Sequence, residues 1–551
     1  MKSEDAKLQK LLEGTKQYVI PLFQRVYTWK KDEWDELWRD ILDIYDQDCT
    51  REHFMGAIVT MPVRMQPHGV NKFLLIDGQQ RLTTFFVLLA CIRDLSTEND
   101  EKLSQKIDNL YLKNQFEENG NHYKLLPTHL DREPFLEVVE SKPKTDSPIA
   151  QVYEHFLERL QGNDLLDKPI DLNVLLDSMI EQLIFVTIRL EPDDSPYRIF
   201  HSLNGTGQDL TEADLVRNFI FMHTPPERQT LTYERYWRPI QEKLKGRELT
   251  DYMWRFVTKD GKPVAQKGVY DEIRNRISRV EDPNSTVNAM LIDMHKYSAY
   301  NSKLIDPSLE TEPRLRTRLL HLQRWELTTP FPLLLNLFND LSEKKLSVDQ
   351  VCGVMDAVES YVVRRFFCSI PIRAMTNHFI RMYSNIKESA DIIAAAYQYL
   401  KTKDFPDDER FLEAWPRLSL YPQTNKSRHI LESLERELNA SNEPVDMTQA
   451  LISQEHMMPQ TLSDEWRKEL GAEADLVHSI YLHTVGNLTL TGNNVHLGNK
   501  PFVEKQEILA HSNFALNAYF ADCTAWNKEQ IMQRANYLGE IALKIWRRPA
   551  G

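Results

Sequence analysis

Between Gly268 and Gly471 this chain has one glycine, Gly353. Glycine loosens the backbone and weakens a helix by about 1 kcal/mol relative to alanine. A stretch this long and nearly free of it reads as helical. The segments LLHLQRW (319–325), FPLLLNLFNDL (331–341) and VCGVMDAVESYVVRRFF (351–367) carry apolar residues at three- and four-residue steps. In the last, Val351, Val354, Met355, Val358, Tyr361, Val362 and Phe366 share one face. That pattern predicts an amphipathic core helix with Arg364 and Arg365 on its solvated side. The whole sequence holds 18 glycines in 551 residues, fewer than half the usual share of about 7%. Outside the helical stretch, many of them stand in three clusters, near Gly56 and Gly78, at Gly205 and Gly207, and at Gly486, Gly492 and Gly498.

A chain of 551 residues exceeds one hydrophobic core, so two to four domains are expected. With 42% apolar and 27% charged residues it is not disordered throughout. The net charge of −14 lies mostly in the middle of the chain, which excludes coating DNA by bulk charge. Any DNA contact should be local and steeply salt-sensitive. Five scattered cysteines without a CxxC pair fit reduced thiols, and neither a disulfide framework nor a zinc site. The N-terminus has no apolar signal-like run, and the longest apolar run, Phe85 to Ile92, is far short of the roughly 20 residues that span a bilayer. The expectation is a soluble cytoplasmic protein with no membrane partner.

The first glycine cluster lies in a strand–turn–helix pattern. HFMGAIVTMPV (53–63) and KFLLI (72–76) read as strands, Asp77-Gly78-Gln79-Gln80 as a turn, and 81–95 as a helix. A turn of this kind presents backbone N–H groups at a helix N-terminus to an anion. Together with Ile20-Pro21-Leu22-Phe23-Gln24-Arg25-Val26-Tyr27-Thr28-Trp29, it offers two Arg for phosphate oxygens and three Gln for a base edge. Asp77 could hold a metal or orient water. A second cluster, FHSLNGTGQDLTEADLVRNFI (200–220), is a loop leading into a helix capped by Thr211, with Asp214 at the reciprocal position. No GxxxxGK[ST] sequence occurs, so a Walker-type site is not expected.

These three segments, in this order, resemble the ParB-like domain at the N-terminus of GmrSD-type modification-dependent (type IV) restriction proteins. The resemblance implies nucleoside triphosphate (NTP) binding and hydrolysis at the DGQQR loop, with Gln24, Arg25, Asp77, Gly78, Gln79, Gln80 and Arg81 as nucleotide-binding candidates. Asn204, Gly207, Asp214 and Asn218 match the second signature, where Arg217 stands in place of an expected Lys.

Near the other end stand Ser453-Gln454-Glu455-His456-Met457-Met458-Pro459-Gln460 and His483-Thr484-Val485-Gly486-Asn487-Leu488-Thr489-Leu490, followed by Asn493, Asn494, Asn499, Lys500 and Lys505. An acidic residue beside a histidine can divide two tasks: the carboxylate binds a divalent cation and the imidazole activates water. The order strand with Glu-His, strand with Gly-Asn-Leu-Thr-Leu, then a helix describes a ββα-metal hairpin. This pattern resembles the HNH nuclease domain of the same GmrSD-type proteins, with Asn499, Phe502 and Lys505 matching its last element. On that match His456 is the general base and Asn487 an orienting residue. Glu455 is a metal ligand, joined by Asn499 or by its rival Asn494. Met457 and Met458 are read as packing. His478, His483, His496 and His511 lie near in sequence; the default for each is no role, with His483 open to supporting the site from behind.

The expected fold is α+β and predominantly helical. It has a ParB-like α/β domain over 1–225, a helical region over 226–445 and an HNH-type nuclease domain over 446–551. The expected function is a nucleotide-regulated DNA endonuclease of antiviral defence, using Mg²⁺ or Mn²⁺ and an NTP on double-stranded DNA, modified or not. A homodimer would suit it, since one HNH site cuts one strand at a time. Two rivals are an HNH toxin or RNA-cutting effector, and a DNA-binding scaffold with a degenerate site.

Overall fold

The computed structural model describes residues 2–22, 24–45, 52–64, 69–143, 146–162, 169–191, 211–244, 247–280, 282–371, 375–439, 452–492 and 497–549. The chain divides into two compact units. One comprises Met1–Arg238 and Ile273–Leu291, the other Pro239–Glu272 and Ile292–Gly551. Helices dominate both, in keeping with the α+β expectation.

The first unit is built on strands β1 (Lys2–Lys7), β2 (Lys16–Val19), β3 (His53–Arg64), β4 (Asn71–Asp77), β5 (Leu125–Leu126) and β6 (Leu183–Arg189). They form one mixed sheet in the order β1-β6-β3-β4-β2-β5. β3 is parallel to β6 and antiparallel to β4, and β4 is parallel to β2. Helix α1 (Gln79–Ser96) starts directly after β4 and the Asp77-Gly78 turn. The longest apolar run of the sequence is the centre of this helix, and every residue from Phe85 to Ile92 is fully buried. Burying one large apolar side chain contributes about 1.5–3 kcal/mol. So the run anchors α1 firmly, and with it the polar turn at its N-terminus. Among the described residues no helix is long and apolar enough to cross a membrane. Helix α2 (Glu212–Met222) follows later in the unit and begins with the predicted capping box, Thr211 and Asp214 each bonding the other's backbone N–H.

In the second unit, α3 (Pro313–Arg324), α4 (Val348–Phe367) and α5 (Thr424–Leu438) belong to the glycine-poor stretch. The prediction for α4 needs correction. This helix is buried nearly all round, and Arg364 and Arg365 are inside, at 0% and 5% exposure. They lie inside because loop carbonyls supply the acceptors that water would otherwise provide. Arg364 donates to Trp546 O at 2.7 Å and to Asp408 Oδ1 at 2.7 Å, with its guanidinium over the Phe411 ring. Arg365 donates to the carbonyls of Lys403, Asp404 and Pro371. The same helix carries Glu359, whose carboxylate ties three helices together. His321 Nδ1 of α3 and His429 Nε2 of α5 each lie 2.9 Å from one of its oxygens, and Trp546 Nε1 donates to it at 3.2 Å. The cysteines Cys91, Cys352, Cys368 and Cys523 are free thiols.

The end of this unit contains β7 (Ser453–His456) and β8 (Leu488–Thr491), followed by α6 (Phe502–Leu509) and α7 (Lys528–Ile545). The two strands pair antiparallel, with Glu455 opposite Thr489 and His456 opposite Leu488. Met457 and Met458 are fully buried in the core beneath them, alongside Trp466, Phe502 and Trp526.

Candidate functional site

Two polar centres stand out, one in each unit. In the first, the αL conformation of Gly78 (φ 87°) turns the chain from β4 into α1. A Cβ on Gly78 would fall 2.3 Å from Ile58 Cδ1, so only glycine lets the turn lie on β3. Gly56 does the same for Arg81. Its φ is 92°, and a Cβ there would stand 3.1 Å from the guanidinium, which donates to Ala57 O at 3.3 Å. Burial pushes the Asp77 carboxyl up from its ordinary value, against the Gly78 N–H, Arg81 and Arg25. Burial likewise lowers Arg25 and Arg81, opposed by Asp214 and Asp77 at Arg25, and by Asp77 and Asp40 at Arg81. The guanidinium of Arg217 binds Asp214 at 2.6 Å from the same first turns of α2. The second sequence signature thus delivers an Asp–Arg pair to the Arg25 side of the DGQQR turn. Asn204 and Gly207 lie outside the described residues.

The three glutamines divide. Gln80 is structural: its Oε1 accepts from Thr28 N at 2.8 Å and Trp29 N at 3.4 Å, and its Nε2 donates to Val26 O at 3.0 Å. That side chain fastens the VYTW strand of chain beside the turn. Gln24 donates to Ile76 O at 3.0 Å, but its Oε1 is buried without a partner. Gln79 Oε1 and Asn218 Oδ1 are also buried and unpaired. A buried acceptor left unmade costs about 1–3 kcal/mol, and a ligand's donors would recover it.

The second centre is the β7–β8 hairpin. Asn487 is fully buried and uses all its hydrogen-bonding capacity on the fold. Its Oδ1 accepts from Met458 N at 2.7 Å and Trp526 Nε1 at 3.0 Å, and its Nδ2 donates to the carbonyls of Met458 and Leu482. It therefore holds the backbone that leaves His456. Arg534 of α7, fully buried, donates to the carbonyls of Gly486 and Leu488 from the other side. A Cβ on Gly486 would meet Ile531 O at 2.3 Å. Gly486→Ala is expected to lower stability by about 1–3 kcal/mol, read as a fall in the thermal midpoint; an unchanged midpoint would refute this close approach.

Glu455 and His456 are both buried, at 8% and 4% exposure. Lys505 of α6 reaches between them, donating to Glu455 Oε1 at 2.7 Å and to His456 O at 2.7 Å. Burial raises the Glu455 carboxyl and lowers the Lys505 ammonium, and their mutual attraction opposes both shifts. Burial pushes the His456 imidazole down to about 3, helped by His483, Lys505 and His478. His483, which the sequence leaves open as a supporting residue, lies with its Nδ1 3.1 Å from His456 Nε2. Tyr421, from the turn before α5, stacks on His483 with ring planes 10° apart and meets His456 edge-on. Tyr421 carries no sequence signal, because its contact with the two histidines joins loops that are distant along the chain. Asn499 is exposed on the turn before α6, and Asn494 lies outside the described residues.

The second unit thus carries a buried Glu-His pair on paired strands with a lysine from the following helix, and the first unit carries an Asp/Arg/Gln turn at the end of a strand. The profile described as "GmrSD restriction endonuclease, N-terminal domain" matches residues 8–221, and "GmrSD restriction endonucleases, C-terminal domain" matches residues 405–541. The chain belongs to the GmrSD restriction endonuclease family. It is a type IV restriction protein, a hydrolase that cuts DNA in defence. The N-terminal GmrSD match contains the whole DGQQR turn and the α2 pair, and the C-terminal match contains the hairpin, α6 and most of α7. No curated protein sequence matches the chain.

Proposed function

We propose that this GmrSD protein is a metal-dependent, nucleotide-regulated endonuclease of the HNH type, acting on double-stranded DNA according to its modification. The observation that carries the reading is the buried Glu455–His456 pair, fixed by Asn487 behind it and by Lys505 from α6. In this reading His456 is the general base. It takes a proton from water as the water oxygen bonds to phosphorus and the phosphodiester P–O bond breaks. With its Nε2 engaged by His483, the ring atom free of described partners is Nδ1, so Nδ1 is assigned to the water. The scissile phosphate brings negative charge beside the ring, which favours imidazolium and lifts the base toward its working range.

The donor set suits a hard divalent cation. Mg²⁺ commonly takes one or two protein oxygens and fills its shell with water and phosphate oxygens. Glu455, through the oxygen that Lys505 does not take, would hold it with Asn499 or Asn494. Bound there, the ion would stabilise charge on the phosphoryl and leaving oxygens. The His321–Glu359–His429 group also has the spacing of a cation site, but its carboxylate already receives three N–H donors, as described above.

In the N-terminal domain we assign the NTP to the turn at Asp77–Arg81 with Gln24 and Arg25. The unpaired amide oxygens of Gln24 and Gln79 and the half-buried guanidinium groups support a ligand rich in both donors and phosphate oxygens. The test is cleavage of plasmids that differ only in modification, with Mg²⁺ or Mn²⁺, with and without NTP. His456→Ala should lower cleavage by about 10²–10⁴-fold. Equal cleavage by both proteins would sink the catalytic assignment, and cleavage of RNA alone would move the reading to its rival.

A further inference from the structure

We infer that His483, backed by Tyr421, is the positioning residue that holds the His456 imidazole in the orientation and tautomer the hydrolysis needs. The inference rests on the reading of His456 as general base. His456 stands at the end of a short strand, and the hydrogen bonds of Asn487 and Lys505 hold its backbone and that of Met458 but make no contact with its ring nitrogens. The ring's one hydrogen-bond partner among the described residues is His483, at 3.1 Å between Nε2 and Nδ1.

His483 is itself fixed from two directions. Its carbonyl accepts from the backbone N–H of Leu420 at 2.8 Å and of Tyr421 at 3.2 Å. Its ring lies flat against Tyr421, with centroids 5.4 Å apart, while the Tyr421 ring touches His456 edge-on at 4.3 Å. Asn487 fixes the same loop further on, through Leu482 O. The partner of the base is thus as well anchored as the base itself.

Only one of the two proton arrangements across this bond leaves His456 competent. When His456 Nε2–H donates to His483 Nδ1, His456 Nδ1 keeps its lone pair and can accept a proton from water. In the reverse arrangement His456 Nδ1 carries the proton and cannot act as a base. An imidazole whose far nitrogen has a fixed acceptor keeps the working tautomer. During the step the water proton goes to His456 Nδ1, and the Nε2–H stays bonded to His483. The leaving oxygen takes its proton from solvent.

The experiment compares wild type, His456→Ala, His483→Ala, His483→Asn, Tyr421→Phe and Tyr421→Ala in steady-state cleavage, with thermal midpoints measured alongside. His483→Ala is expected to lower kcat by about 10–100-fold, the usual loss for an orienting partner, with KM changed less than about twofold. His483→Asn places an acceptor oxygen near the position of Nδ1 and should recover most of that loss. Tyr421→Phe keeps the stacked ring and should behave as wild type, whereas Tyr421→Ala should lose part of kcat. If His456→Ala is inactive while His483→Ala cleaves at the wild-type rate, the positioning role is wrong and the catalytic reading survives. A rise in KM at unchanged kcat would make His483 a DNA contact and overturn the inference. If His483→Ala does not fold, the Asn and Tyr421 variants decide, and an Asn variant as slow as His456→Ala would overturn it. Wild-type cleavage by His456→Ala would remove the reading beneath.

Discussion

Replacing Lys505 with methionine is expected to destabilise the nuclease-bearing unit by about 3–5 kcal/mol, the usual cost of removing one partner from a buried ion pair. The cost arises because the buried Glu455 carboxylate would be left with no cation on its Oε1. The His456 carbonyl would lose a donor as well. The loss should depend on pH with a definite sign. Burial already raises the Glu455 carboxyl above its ordinary value, and Lys505 is what opposes that shift. Without Lys505 the carboxyl rises further. A group raised in the folded state supports folding below its unfolded pKa and loses that support as pH rises through the folded one. The gap in urea midpoint between wild type and Lys505→Met should therefore widen from pH 5 to pH 7.5. A gap that narrows would mean that Glu455 is not the group left unpaired. A second comparison separates structure from chemistry. Glu455→Gln combined with Lys505→Met should regain most of the stability, since no charge remains to be buried, and yet cleave no DNA.

His456 adds an independent acid limit. Its imidazole is pushed down to about 3 by burial, so it is neutral when folded, while the unfolded chain binds a proton near pH 6.5. A depressed base makes its contribution above the unfolded pKa and loses it as pH falls toward the folded one. At pH 5 the loss is about 2 kcal/mol. In metal-free buffer, His456→Ala should flatten the fall in thermal midpoint between pH 7 and pH 5; an identical slope in wild type and variant would show that another group governs the acid limit.

The sequence was most legible where local chemistry and tertiary packing agree. The β4–turn–α1 element follows from a short apolar strand, a glycine that must be left-handed, and an apolar run too short for a membrane. The hairpin was legible for a similar reason: Gly486 and Asn487 are each demanded by a backbone neighbour, Ile531 O and Met458 respectively. The misreading of Arg364 and Arg365 has a physical source. Helical periodicity reports which residues are apolar, and it is silent about loop carbonyls that arrive from elsewhere to accept from a buried guanidinium. Those carbonyls come from 371, 403–404 and 546, none of which marks itself in sequence. Tyr421 is invisible likewise, since its value lies in meeting His456 and His483, and sequence marks His483 only as a residue that could support the site. Asp214 was recognised as a helix cap, and its charge near Arg25 is a second use that the capping pattern cannot reveal.

Within the DGQQR turn, Arg81→Met and Gln80→Met are expected to fail in different ways. Arg81 is held against β3 by one long bond to Ala57 O, in the space that Gly56 leaves open. Its guanidinium otherwise faces Asp77, and burial keeps its pKa below the ordinary value, so it is a costly group to keep there without a ligand. Removing it should change the thermal midpoint little and weaken NTP binding by about 10–100-fold, the worth of a charge-assisted hydrogen bond at roughly 1.5–3 kcal/mol. Gln80 is the opposite case. Its amide satisfies the backbone at Val26, Thr28 and Trp29, and methionine would leave those groups unpaired at about 1–3 kcal/mol for each buried one. Gln80→Met should lower the midpoint strongly, and NTP binding should weaken only because Arg25 sits on the same segment. Binding of a fluorescent NTP analogue, read beside the melting curve, separates the two. If Arg81→Met bound NTP normally while Gln80→Met did not, the turn would be a structural clasp and the nucleotide would belong elsewhere. The geometry favours the division stated, because Gln80 spends its amide oxygen and one N–H on the backbone, whereas Arg81 spends only one long bond there.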